Sequence, residues 1–240
     1  MLKKKPRYKP LYKKFIRLRK NIQNKEKINK TNFSKKKWIN LINFLNKQSN
    51  RRKKNFRVYD LNSYYVKKYG NIFKKKFLLH ILNKQSFSLF YGHLKNSYFK
   101  KLIQLSQKKK NKQTNFRYVL NILESRLDSV LYRSQFTTSL REARHLITHG
   151  HVLLNSIKIK NNKYGLSKGD LVSINSRYIK KFIKNNVLHA NMWPMPPESM
   201  LINYKLLIIL YLGESKFNIY FNKFPFYINY NNVINYYRKN

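Results

Sequence analysis

Arg141, Arg144, His145 and Thr148 fall at offsets 0, 3, 4 and 7. On an α-helix that spacing puts four side chains on one face. Two guanidinium groups and an imidazole there suit an anion, because the planar fork of arginine matches two phosphate oxygens at once. Arg126 and Arg133 come just before, so five arginines lie between Arg117 and Arg144. His149 and His151 follow, and Lys158 and Lys160 alternate in "IKIK", which on a strand directs both to one face. Arg126, Arg133, Arg141, Arg144, His145, His149, His151, Lys158 and Lys160 therefore read as a surface that positions phosphates; the alternative for the arginines is a solvated helix face with Glu124 and Glu142 pairing nearby. Ser139 and Asn155 border it and add neutral hydrogen-bonding groups, Asn155 chiefly as a turn residue.

Other chemistries fit these residues less well. His145 and His149 are four apart, as a helical metal pair would be. The chain has no cysteine, however, and no nearby carboxylate completes a site, so no metal is expected. Hydrogen bonding or stacking on RNA is the expected role of the histidines. Asp128 is expected to orient a neighbouring arginine rather than to act as an acid catalyst. Asp60 is the only aspartate before it and none follows Asp170, which leaves no separate catalytic domain of the pseudouridine-synthase kind. Gly165 and Gly169 are the closest glycines and suit a strand turn, not a cofactor loop. No enzyme activity and no cofactor are expected.

The elements that must hold this surface are legible nearby. Leu127, Val130 and Leu131 mark one face of a short helix. Ser139 and Glu142 form an S-x-x-E capping box that starts a second. Leu140, Ala143 and Ile147 form its apolar back, and Gly150 suits a left-handed C-cap. "HVLLN", "IKIK" and "DLVSI" are strand-like runs broken by Asn155-Ser156 and by "KYGLSKGD". "LINYKLLIILYL" adds one or two strands. Its apolar run from Leu206 to Leu212 is far short of the roughly 20 residues that cross a bilayer and reads as a buried strand.

The surroundings differ in composition. The chain has 240 residues, with 53 Lys plus Arg against 8 Asp plus Glu, a formal net charge of +45. Such a chain needs an anionic partner, and nucleic acid supplies the densest charge. A membrane surface is a weaker reading, because Lys and Asn interrupt most apolar runs. Yet four of the eight acidic residues lie between Glu124 and Asp170. Elsewhere Lys, Asn, Ile, Phe and Tyr dominate, a bias that matches A+T-rich codons as in organelle genomes. The start, "MLKKKPRYKP", lacks the Arg- and Ser-rich pattern of an import sequence; a protein made inside the organelle needs none.

Four segments follow. Residues 1–55 read as a basic arm that orders on RNA, with one short amphipathic helix at "WINLINFLN" (38–46). Residues 56–123 read as a helical domain. Within it "SLFYGHLKNSYFKKLIQLSQ" reads as a single helix that buries Phe90, Leu94, Tyr98, Leu102 and Leu105 and exposes Lys95, Lys100 and Lys101. "SQKKKNKQTN" (106–115) reads as a polar linker. Residues 124–214 carry the RNA-binding module with its closing strands, and 215–240 form an aromatic docking tail. The expected class is α+β: a basic helical N-terminal region, then two short helices packed on a small, mostly antiparallel sheet.

Several elements occur in order: Arg126-Leu127-Asp128; Val130 to Arg133; Ser139, Ala143-Arg144, Leu146-Ile147 and Gly150; Val152, Leu154 and Asn155; and Gly169-Asp170. Together they resemble the RNA-binding module of the small-subunit ribosomal protein S-four family. "YVLNILESRLDSVLYR", "FYGHLK", Trp193 and "LINYKLLIILYL" extend the resemblance over about residues 85–215, and "INYNNVINYYRK" is a weaker match to the family's C-terminal segment. The chain departs from the family in its long Lys/Asn-rich start and lacks the cysteine cluster some members carry. The resemblance implies a ribosomal structural protein bound early to a junction in the five-prime region of small-subunit rRNA. It also implies a place beside other small-subunit proteins and near the channel through which mRNA enters. The codon bias suggests a mitochondrial version first and a plastid version second. The alternative is an RNA-binding factor outside the ribosome, or an RNA-modifying enzyme that carries the same module; the long flanks weigh against it.

Overall fold

The computed structural model describes residues 18, 22, 36–53, 72–108, 114–137, 139–175, 197–213, 224 and 230–239. They belong to two compact units, Met1–His93 with Phe224–Asn240, and Leu94–Lys223. The division falls within the expected helical segment 56–123.

In the first unit, α1 spans Lys36–Lys53 and α2 spans Ile72–Phe90. Helix α1 is longer than the short helix expected at 38–46, and it buries Trp38 and Leu41. Helix α2 continues past the apolar spacing only as far as Phe90. Gly92 (φ 68°) and His93 (φ 58°) then turn left-handed. The Gly92 N–H donates to the Leu89 carbonyl and the His93 N–H to that of Ser88, a Schellman closure. The single helix expected through this stretch is thus two. Within the expected tail, α7, Tyr230–Lys239, lies on α2 and buries Val233 and Tyr237; apart from Phe224, residues 215–229 lie outside the described residues. Burial pushes the Tyr237 hydroxyl pKa well above its ordinary value. The Lys84 ammonium sits 4.6 Å from the centre of the Tyr236 ring, and Phe224 packs edge-on against Phe90.

The second unit opens with α3, Asn96–Lys108, and α4, Thr114–Glu124. Helix α3 therefore runs into the segment expected as a linker, and residues 109–113 lie outside the described residues. Its buried face is Phe99, Leu102, Ile103 and Ser106, offset from the expected stripe; Leu105 is exposed. Lys95, Lys100 and Lys101 are exposed as expected. Helix α4 buries Val119, Leu120 and Leu123.

Two short helices follow, α5 at Leu127–Arg133 and α6 at Leu140–Thr148. Leu127, Val130 and Leu131 of α5 and Leu140, Ala143, Leu146 and Ile147 of α6 are buried, at the three- and four-residue spacing that a helix requires to cover a core. Five antiparallel strands form the other layer, in the order β2-β1-β3-β5-β4. They are β1 Val152–Leu154, β2 Ile157–Lys158, β3 Leu171–Ile174, β4 Met200–Asn203 and β5 Ile208–Tyr211. Alternation points Val152, Leu154, Val172, Ile174, Ile209 and Tyr211 toward the helices. Fully burying one such aliphatic chain contributes roughly 1.5–3 kcal/mol. The fold is α+β, two short helices on an antiparallel sheet.

The turns explain the register. Asn155 (φ 46°) and Ser156 (φ 71°) are both left-handed, the type I′ geometry that suits the twist of a two-residue hairpin between β1 and β2. The apolar run at the end of the module is not one buried strand. Leu206 is exposed and Leu207 (φ 55°) is buried in the turn, while β5 itself is half-buried. The Asn203 side-chain oxygen accepts from the Lys205 and Leu206 N–H groups and shapes that turn.

Helix α6 ends as its sequence predicts. Gly150 has φ 71°, its N–H donates to the Ile147 carbonyl, and the His151 N–H donates to that of Leu146. A Cβ at this position would meet only Lys160 Cε, at 4.0 Å, so the cost of an alanine is conformational and not steric. Gly150→Ala is expected to lower stability by about 1 kcal/mol, measured by urea unfolding of the full chain, with Gly150→Asn losing less. Equal stability of Gly150→Ala and wild type would contradict the assigned cap.

Candidate nucleic-acid interface

The centre of the module is a carboxylate. Asp128 is fully buried and receives two arginines. Arg126 Nε donates to Oδ1 at 3.0 Å and Arg126 Nη2 to Oδ2 at 2.8 Å. Arg144 Nε, from α6, donates to Oδ2 at 2.7 Å. Asp128 thus orients arginines, as expected of it, and it joins the start of α5 to the middle of α6.

Arg126 does not lie on the expected surface. Its side chain is 4% exposed. The guanidinium carbon lies 5.7 Å from the centre of the Tyr98 ring on α3. Its backbone bridges Gly165, the Leu127 N–H donates to the Tyr164 carbonyl, and the Leu166 N–H donates to that of Ser125. Burial works against the guanidinium charge, but the Asp128 carboxylate and the Tyr98 side chain outweigh it, so the Arg126 pKa lies above its ordinary value. Burial, and the use of Nε and Nη2 on Asp128, leave this guanidinium without an open fork for a phosphate.

Arg133 is similarly engaged. Nε and Nη2 donate to the two oxygens of Glu124 at 3.0 and 2.7 Å, and both side chains are 12% exposed. The pair spans the break between α4 and α5. Burial raises the pKa of the adjacent Tyr132 hydroxyl. The Glu124 pairing is the alternative that the sequence offers to phosphate contact, and Arg133 adopts it.

Two further expected contacts have structural roles. The Ser139 hydroxyl accepts from the Glu142 N–H at 3.2 Å and caps α6. Asn155 clamps strands: Oδ1 accepts from the Leu171 N–H at 3.0 Å and Nδ2 donates to Asp170 Oδ1 at 3.1 Å. Asp170 Oδ2 in turn accepts from the Ser167 N–H. The Asn155 and Gly169-Asp170 elements of the sequence pattern therefore meet.

What remains outward is coherent. Arg141 is half-buried and His145 exposed on α6; His149 is exposed and His151 half-buried around the Gly150 turn; Lys158 and Lys160 are exposed beside it. Arg144 is 20% exposed, so it faces both Asp128 and solvent. Thr148 is exposed, but its hydroxyl donates back to the Arg144 and His145 carbonyls. The His145 and His149 rings lie 4.1 Å apart, centre to centre, and those of His149 and His151 lie 6.2 Å apart and nearly parallel. Among the described residues no group of His, Cys, Asp or Glu is arranged to hold a metal, and no helix is long and apolar enough to cross a membrane. Basic and aromatic groups on one rigid face can bind a phosphate backbone and stack on bases.

Removing the shared carboxylate tests this hierarchy. Asp128→Ala leaves the Arg126 charge buried without its partner and is expected to cost about 3–5 kcal/mol. Arg144→Ala removes one part-exposed donor and should cost clearly less. Urea unfolding of the two variants checks this; equal losses would remove Asp128 from the centre of the module.

The sequence has known relatives. Residues 125–172 match the S4 domain. The chain is 36% identical over 133 residues to the small ribosomal subunit protein uS4 of Aquifex aeolicus, covering 54% of this chain and 62% of the relative. It is 38% identical over 97 residues to uS4B of Clostridium acetobutylicum, covering 40% and 49%. These matches thus span about half to three-fifths of the relatives' length. The match to uS4 of Karelsulcia muelleri is broader, 30% identical over 156 residues, with 59% of this chain and 78% of the relative covered. With the S4 domain present and 78% of that relative's length matched at 30% identity, the chain belongs to the small ribosomal subunit protein uS4 family.

Proposed function

We propose that this chain is a structural constituent of a small ribosomal subunit and holds small-subunit rRNA by its backbone on the α6–β2 face. The observation that carries the reading is the outward set Arg141, Arg144, His145, His149, His151, Lys158 and Lys160 on a frame of the uS4 family. Arg126, Arg133, Ser139 and Asn155 act one step behind, by fixing the helices and strands that present that set. A net charge of +45 supplies the attraction for a polyanion. The family resemblance supports early binding at a five-prime rRNA junction, contact with neighbouring small-subunit proteins, and a position near the path by which mRNA enters. The A+T-driven composition supports a mitochondrial ribosome as the location. The names of the relatives, all small-subunit proteins, favour this over a free RNA-binding factor or an RNA-modifying enzyme.

Arg141 and Lys160 serve as probes because the Asp128 carboxylate is held by Arg126 and Arg144 instead. Arg141→Ala with Lys160→Ala should weaken binding to a small-subunit rRNA fragment. The slope of log affinity against log salt should become shallower by roughly one unit per lost phosphate contact. Arg141→Lys in place of Arg141→Ala should restore slope but less affinity, since charge returns without the fork. Binding isotherms at several salt concentrations, with circular dichroism as the folding control, make the measurement. A folded double variant with unchanged affinity and slope would place the RNA elsewhere.

A further inference from the structure

We infer that His145, His149 and His151 form a stacking platform for an unpaired nucleobase, so that this face binds single-stranded or bulged RNA in preference to duplex. The inference rests on the rRNA-binding reading and specifies which feature of the RNA the site takes. Its basis is the way the end of α6 assembles the rings. His145 and His149 are one helical turn apart, with ring centres 4.1 Å apart and planes inclined by 40°. Gly150 then reverses the chain through its left-handed φ of 71°, and His151 enters β1. That reversal brings the His151 ring to within 16° of parallel with His149, at 6.2 Å. Three rings thus run in series across the surface.

This array is not part of the core, whose members on α6 are Leu140, Ala143, Leu146 and Ile147. It is not a metal centre either, since no metal-holding group occurs among the described residues. A series of ring faces and edges at the surface suits another flat ring. Cations border it: Arg141 and Arg144 lie on the same helix, and the stem of Lys160 approaches Gly150. A nucleotide satisfies both halves of this arrangement, base on the rings and phosphate on the cations. A paired base cannot, because its faces are already covered within the duplex; only an unstacked base offers one. Stacking of this kind tolerates any base, since every base has a π-face.

The test uses the full chain and a short oligoribonucleotide carrying 2-aminopurine between uridines, whose emission falls when the base stacks. The same strand annealed to its complement serves as the duplex probe. The wild-type chain should quench the single strand and not the duplex. The triple variant His145→Ala, His149→Ala, His151→Ala should lose the quenching and about tenfold in affinity for the single strand. The triple Phe variant, which keeps rings without imidazole nitrogens, should retain both. His149→Ala alone removes the central ring with the least disturbance and should lose most of the quenching.

Three results would overturn the platform. The wild-type chain binding the single strand without quenching would do so while leaving phosphate binding intact. Loss of binding by the Phe variant equal to that of the Ala variant would assign the histidines to charge or hydrogen bonding instead. No binding of either probe or of the rRNA fragment at any salt concentration would remove the rRNA reading together with the platform.

Discussion

One buried carboxylate sets the geometry of the module. Taking Asp128 out of water is costly, and it is offset only because Arg126 and Arg144 meet it with short, charge-assisted hydrogen bonds. Those bonds constrain more than two side chains. Arg126 carries the backbone bridge to Gly165 and lies against Tyr98, so α3, the loop before Leu166 and the start of α5 share the same anchor. Arg144 sets the rotation of α6 about its axis. With its Nε on Asp128 and Ala143 and Ile147 in the core, His145 is left exposed and Arg141 half-buried. The outward chemistry follows from an inward ion pair.

This arrangement accounts for the unusual composition of the segment. Lysine is the commoner base elsewhere in the chain, but an ammonium cannot hold both oxygens of a carboxylate in one plane. Arg126 and Arg133 each do so, on Asp128 and Glu124. The scarce acids and the clustered arginines are thus two sides of one requirement. A phosphate-binding role accounts for the clustering only in part, since Arg126, Arg133 and Arg144 are each bonded to a carboxylate within the protein.

Local signals were legible in the sequence and non-local ones were not. The Ser139 cap, the Gly150 ending, the Asn155-Ser156 turn and the apolar backs of α5 and α6 each depend on residues a few positions apart, and each appears in the structure. The burial of Arg126 could not be read, because it depends on Tyr98 and on the loop before Leu166, whereas the Glu124 pairing of Arg133 stood open as the alternative to phosphate contact. Helix α3 shows a different failure. Apolar spacing continues through Phe90, Leu94 and Tyr98, but Gly92 and His93 close one helix and a new phase begins, so Leu105 faces solvent and Ser106 lies inside, its hydroxyl donating to the Ile103 carbonyl. Glycine in that run was the available signal.

The brevity of β2 bears on how such a chain stays apart from its copies. A sheet edge presents unpaired N–H and C=O groups on which another strand can grow, and long runs of Ile, Tyr and Asn favour that growth. Here the edge beyond β1 is only Ile157–Lys158, closed by a tight left-handed turn on one side and followed by Lys160 on the other. Two residues offer little template, and Lys158 would meet its own charge in any edge-to-edge pairing. The same lysine that suits a polyanion thereby discourages growth from the β2 edge, while the opposite edge, β4, carries no such guard.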